Sequence, residues 1–154
     1  MLTYAFNHQD HDSLLFYLPA TKKHGNDQDV DFLAIEMVDR QIRFLWNAGG
    51  GTTVLTHPLK LQPSPDDLSD DSRWYKIEAE RTGNVASLRV RMVKPENDGP
   101  VATEGVTVSG AGPPRFSKMD LVTGDKLYIG RVPDNAPADL KVCENCLLQK
   151  IILI

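Results

Sequence analysis

The stretch DFLAIEMVDRQIRFLWNAGGG, residues 31–51, decides the fold of this chain. It reads as two β-strands joined by a two-residue turn. In the second arm Ile42, Phe44 and Trp46 fall on one face and Gln41 and Arg43 on the other. That period of two is what a half-buried strand requires. Asp39-Arg40 fills the position where Asn-Gly or Asp-Gly is commonest in tight hairpins. The first arm opens on an acidic residue, Asp31, and the second runs out into Gly49-Gly50-Gly51. A carboxylate thus stands one strand away from flexible backbone carbonyls, the nearest thing to a ligand site in the sequence.

Strand signals continue in both directions. They predict strands at 2–6, 13–18, 32–38, 41–46, 52–56, 73–81, 86–93, 106–109, 126–132 and 146–154. Leu88, Val90 and Met92 alternate with Ser87, Arg89 and Arg91, and Thr82-Gly83-Asn84 marks a second hairpin turn. No window long enough for a helix shows its apolar spacing. Pro58, Pro63 and Pro65 break up one linker, and Pro95, Pro100, Pro113 and Pro114 another. Many strands with turn residues between them indicate an all-β fold, an antiparallel β-sandwich or barrel. Two long loops are expected, 57–72 and 94–125. The first sets Asp66, Asp67, Asp70 and Asp71 against Lys60. Long loops on a rigid sandwich are either binding surfaces or solvated insertions.

A chain of 154 residues suits one domain and can bury a sizeable core. Hydrophobic residues make up 41% and charged residues 25%, an ordinary globular balance. The net charge of −4 argues against a nucleic-acid partner. No apolar run approaches the roughly 20 residues that span a bilayer, so membrane insertion is not expected. Residues 1–6 lack the features of a signal peptide. Both ends lie in strand-like sequence, so 1–154 is expected to be a single domain truncated at both ends.

Few residues assemble chemistry. Cys143-Glu144-Asn145-Cys146 has the spacing of half a zinc site, but the second half is missing. A redox pair of that spacing needs an α/β setting that the pattern lacks. The run His8-Gln9-Asp10-His11-Asp12 reads as a polar hairpin loop rather than a metal cluster. Arg73, Lys76, Arg81, Arg89, Arg91 and Lys94 stand against Glu78 and Glu80. Arg89 and Arg91 share a strand face, and arginine suits bidentate anion contacts. The same stripe would serve as an ordinary solvated sheet face. Sequence signatures of hydrolases, zinc proteases and nucleotide binders are absent.

Six motifs in register resemble one family, the laminin G-like domains. They are Leu14-Leu15-Phe16-Tyr17-Leu18; Asp31-Phe32-Leu33-Ala34-Ile35-Glu36; Trp46-Asn47-Ala48-Gly49-Gly50-Gly51; Arg73-Trp74-Tyr75-Lys76-Ile77; Lys126-Leu127-Tyr128-Ile129-Gly130; and Cys146-Leu147-Leu148. The flavour is that of a G domain from a laminin alpha subunit, with agrin, perlecan and neurexin modules as neighbours. The resemblance implies a jelly-roll, concanavalin A-like sandwich in an extracellular, basement-membrane protein, with a binding function and no catalysis. The implied partners are receptors of the integrin or dystroglycan class, sulfated glycans, and neighbouring G domains of the parent protein. Arg89 and Arg91 are the glycan-binding candidates.

The resemblance also implies a calcium ion at one rim. Its ligands would be Asp31, the Ala48 carbonyl, Asp120 and Val122. Calcium wants about 6–8 oxygens, and Val122 departs from the pattern by offering no side-chain oxygen. Cys146 falls on the family's structural cysteine, whose partner lies past residue 154, while Cys143 is an addition. The alternative reading is a jelly-roll lectin or glycan hydrolase, since one architecture serves many functions. A hydrolase would need two carboxylates facing one another across a cleft. A lectin would need an aromatic sugar platform, whereas Trp46 and Trp74 both read as core residues.

Overall fold

The alternating segments pair as antiparallel strands. The computed structural model describes residues 2–5, 12–20, 31–62, 74–93, 105–115, 117–119, 125–130, 140 and 150–153. The strands are β1 (Leu2–Ala5), β2 (Ser13–Pro19), β3 (Phe32–Val38), β4 (Gln41–Asn47), β5 (Thr53–Lys60), β6 (Trp74–Thr82), β7 (Val85–Val93), β8 (Val106–Ala111) and β9 (Lys150–Leu153). They form two sheets, ordered β8-β7-β6-β1-β9 and β2-β3-β4-β5. Among the described residues there is no helix. The expected antiparallel β-sandwich is what the chain forms.

The hairpin at 31–51 pairs in full register, Phe32 with Asn47 through Val38 with Gln41. Asp39 and Arg40 both take positive φ, 47° and 62°, as a type I′ turn demands. The turn is tied down from outside, because the Asp39 amide donates to Asp12 Oδ1 at 2.9 Å. Arg40 carries a left-handed penalty that glycine would not. Arg40→Gly is therefore expected to stabilise the domain by roughly 0.5–1 kcal/mol in urea unfolding. An unchanged or lower midpoint would mean the turn tolerates a Cβ without strain.

Between the sheets lies the main core. Ile35, Met37, Ile42, Phe44 and Trp46 from one sheet meet Tyr75, Ile77, Ala86, Leu88 and Val90 from the other. The Phe44 and Trp46 rings pack at a tilt of 37°, with centroids 5.3 Å apart. On β2 the register shifts between Leu14 and Phe16. That bulge lets Leu15 and Phe16 both pack on the inner cluster while Leu14 and Tyr17 point the other way.

A second cluster fills the outer face of the four-stranded sheet. It joins Leu14, Tyr17, Phe32, Ala34, Leu45 and Leu140, with Tyr128 packed against them. Of the expected strand at 126–132, the described residues 126–130 form a single bridge, at Tyr128. Tyr17 and Tyr128 exchange two backbone hydrogen bonds at 2.8 and 2.9 Å. Leu127 and Ile129 on either side remain 44% and 42% exposed, and Tyr128 between them is half-buried against the cluster. Burial, followed by the neighbouring Tyr128, pushes the Tyr17 hydroxyl up to about 12.

The linker expected from His57 onward begins later. β5 runs through His57 and Pro58 to Lys60. Proline is tolerated there because β5 is an edge strand. The pairing shifts between Gln41 and Arg43, where the Gln41 amide donates to the His57 carbonyl at 3.1 Å. His57 is buried and crosses to the other sheet. Its Nε2 donates to the Val106 carbonyl at 2.8 Å, and its Nδ1 accepts from the Leu59 amide at 3.1 Å.

Candidate functional site

Two places on this scaffold gather polar chemistry: one rim of the sandwich and the outer face of the five-stranded sheet. The rim is built where β3 begins and β4 ends. Asp31 is buried there, and its carbonyl accepts from the Ala20 amide at 2.8 Å. Asn47 is also buried, and its side-chain oxygen accepts from the Gly49 amide at 2.8 Å. This Asx-type bond starts the turn of the glycine run. Gly49 and Gly51 then take φ of 92° and 90°, a backbone that side chains rarely allow.

The opposing sheet closes over this end. The Gly112 amide donates to the Asn84 carbonyl at 2.8 Å, and the Asn84 side chain donates back to the Gly112 carbonyl at 3.1 Å. A Cβ at Gly112 would lie 2.9 Å from Thr53 Oγ1 and 3.0 Å from Trp46 Nε1. Only a glycine admits so close an approach between the two sheets. Arg81, near the end of β6, reaches the Ser117 carbonyl through Nη2 at 3.4 Å.

Asp31 and Ala48 flank the Phe32–Asn47 pair at the open end of the β3–β4 hairpin, whereas Asp120 and Val122 lie outside the described residues. Of the four expected ligands, the Asp31 carboxylate and the Ala48 carbonyl belong to described residues, and the charge of Arg81 acts on that of Asp31. Burial lowers the Arg81 pKa, and the Asp31 carboxylate acts against that fall. Among the described residues no three His, Cys, Asp or Glu side chains gather. Cys143 and Cys146 lie outside the described residues, as do Arg73, Lys94 and 8–11 of the His8–Asp12 run.

On the outer face of the five-stranded sheet, register sets Lys76 opposite Arg91 and Glu78 opposite Arg89. Lys76 Nζ lies 2.9 Å from Glu78 Oε1, and Arg91 Nε 3.8 Å from Glu78 Oε2. The hydrogen bond from Lys76 chiefly, then the charges of Lys76, Arg91 and Arg89, hold the Glu78 carboxyl below its usual range against the cost of burial. One carboxylate therefore answers three cations. Across β7, Thr107 pairs with Arg89 and Ser109 with Ser87, so exposed hydroxyls border the cations. Arg89 and Arg91 share this face, as expected. Arg81 does not belong to the stripe, because alternation with Tyr75, Ile77 and Ala79 turns it inward. Its parity was legible in the sequence, but a count of charges ignores parity.

Trp46 is buried between the sheets. Trp74 is only half-buried and shares its face with Lys76 and Glu78, so its assignment to the core is corrected. Among the described residues, the carboxylates named above lie apart. Glu36 is fully buried on the outer face of one sheet, with Arg43 Nη1 at 3.2 Å. Glu78 and Glu80 lie on the outer face of the other. Sequence alternation placed Glu36 on the face opposite Leu33, Ile35 and Met37 without revealing that this face is covered.

Known proteins resemble this chain in sequence. The laminin G domain profile matches residues 6–145. Human laminin subunit alpha-1 is 37% identical over 129 residues, 84% of this chain and 4% of that protein. Mouse laminin subunit alpha-1 is 31% identical over 122 residues, 79% of this chain and 3% of that protein. The chain thus spans a few per cent of the length of these relatives. Among solved structures, domains LG4-5 of mouse laminin alpha1 align with a TM-score of 0.49 and 21% identity, covering 90% of this chain and 29% of that one. On the profile match and these identities, the chain belongs to the laminin G domain family.

Proposed function

We propose that this domain is a non-catalytic adhesion module of an extracellular matrix protein, and that it holds sulfated glycans on the outer face of its five-stranded sheet. The observation that carries this reading is the Lys76–Arg89–Arg91 cluster around the single carboxylate of Glu78. Three cations against one carboxylate leave a local surplus of positive charge despite the negative chain. Guanidinium forks match sulfate oxygens, and the Thr107 and Ser109 hydroxyls can bridge to sugar hydroxyls. Glu80 lies farther along β6, toward the Gly83–Asn84 turn and away from Arg91. Family membership supports the extracellular setting. Receptors of the integrin or dystroglycan class would be reached through the loop rims.

Binding of a heparin oligosaccharide, followed by calorimetry, tests the reading. Arg89→Ala combined with Arg91→Ala is expected to weaken binding roughly tenfold or more, since each lost charged hydrogen bond costs about 1.5–3 kcal/mol. Glu78→Gln should strengthen it, because the competing carboxylate disappears. Affinity should fall as salt rises. If the double variant binds like the parent while Glu78→Gln changes nothing, the glycan lies elsewhere and this face is only a solvated one.

A further inference from the structure

β5 and β8 stand at the edges of their two sheets, and the His57–Val106 hydrogen bond joins them across the sandwich. Beside that bond lies a partly open cavity of about 340 Å³. Ligand pockets start at roughly this size. Tyr75, Val90 and Met92 line it from the core, together with the buried His57. Leu59 and Val106 stand at its mouth, 40% and 57% exposed. Among the described residues, the wall is therefore mostly hydrocarbon.

The polar groups in this wall are largely engaged already. His57 spends both ring nitrogens, donating from Nε2 to the Val106 carbonyl and accepting at Nδ1 from the Leu59 amide. The Tyr75 hydroxyl donates to the Gln62 carbonyl at 3.2 Å and accepts from the Gln62 amide at 2.9 Å. Lys60 Nζ lies 2.8 Å from Asp39 Oδ2. Arg91 differs. It also lines the cavity, yet its Nε is buried without a hydrogen bond. Glu78 Oε2 is 3.8 Å away, beyond the roughly 3.2 Å reach of an N–H···O bond. Buried donors are seldom left unpaired, because the lost hydration is not replaced. Gly105 packs directly on the arginine stem, since a Cβ there would lie 2.9 Å from Arg91 Cβ and 3.0 Å from the Val90 carbonyl oxygen.

We propose that this cavity binds a small alkyl carboxylate, with its hydrocarbon tail against Leu59, Val90, Met92 and Val106 and its carboxylate accepting from Arg91 Nε. The apolar wall supplies affinity by taking the tail out of water. The one unpaired donor supplies orientation, as a few fixed polar groups do in most ligand pockets. A carboxylate accepts without bringing a donor of its own, and a guanidinium is its natural planar partner. The surplus of Lys76, Arg89 and Arg91 over Glu78 favours an anion at this end of the cavity. Heparin has no hydrocarbon tail, so the glycan experiment does not bear on this site.

Calorimetric titration of the whole chain with octanoate and with octan-1-ol tests the proposal. The two probes share a tail, and octanoate alone carries the anion. Octanoate is expected to bind once per chain, at least about tenfold more tightly than octan-1-ol. Arg91→Met keeps an unbranched stem without the donor and should erase that preference while octan-1-ol still binds. Leu59→Trp and, separately, Val106→Trp set a large ring at the mouth and should remove binding of both probes. Both positions are exposed, so the added ring need not overpack the core, and thermal melting verifies that each variant folds. A parent that binds no octanoate, or binds the two probes equally, would overturn the proposal. So would a folded Arg91→Met that keeps the preference, or two folded tryptophan variants that bind octanoate like the parent.

Discussion

Trp46→Ala is expected to cost about 3–5 kcal/mol, the largest loss of any single substitution proposed for this domain. Trp46 is 2% exposed, packs on Phe44 and belongs to the central cluster between the sheets. A stable domain of this kind has only about 5–15 kcal/mol in hand. The loss would therefore consume a third or more of the stability. The reason is the removal of a large buried ring and the cavity it leaves. Gly112 is packed to fit that ring, so the opposite sheet cannot follow it inward without disturbing the Asn84 turn. Urea unfolding measures the loss. Fluorescence adds a second readout, since the half-buried Trp74 is the other tryptophan in the chain. Loss of Trp46 should remove the shorter-wavelength part of the emission. A penalty under about 1 kcal/mol would mean that the core closes around the gap, contrary to close packing.

The next largest effect is expected at the buried ion pair. Arg43→Met should destabilise by about 3 kcal/mol, because the fully buried Glu36 carboxylate loses the guanidinium that lies 3.2 Å from it. Replacing both members, Glu36→Leu with Arg43→Met, should recover most of the loss. A buried pair returns little more than its desolvation cost, and apolar residues of similar size often do as well. The Lys60–Asp39 pair at 2.8 Å is the built-in control, since its side chains are 53% and 71% exposed. Its removal should cost under about 1 kcal/mol. If Arg43→Met behaves like that exposed pair, Glu36 does not depend on Arg43. If the double replacement is worse than the single one, the site requires a polar pair, and the apolar account of its surroundings fails.

Local chemistry fixed most strands before any tertiary contact was considered. Alternation at Ile42, Phe44 and Trp46, a turn at Asp39-Arg40 and the glycines at 49–51 specify a hairpin whose side chains have only one way to face a core. The same rule predicted the β6–β7 pair, and family motifs placed Asp31 and Ala48 at one rim. Those features are encoded within a few residues of one another, so they are legible in the sequence. Other features needed the folded chain. The outer cluster around Tyr17 and Leu45 exists because Tyr128, distant in sequence, lands on β2. The burial of His57 depends on the Val106 carbonyl of the other sheet, and that of Glu36 on a covered face. Periodicity tells which side of a strand a residue takes. Only the packing of one sheet on another tells what it meets there, as His57 meets the Val106 carbonyl.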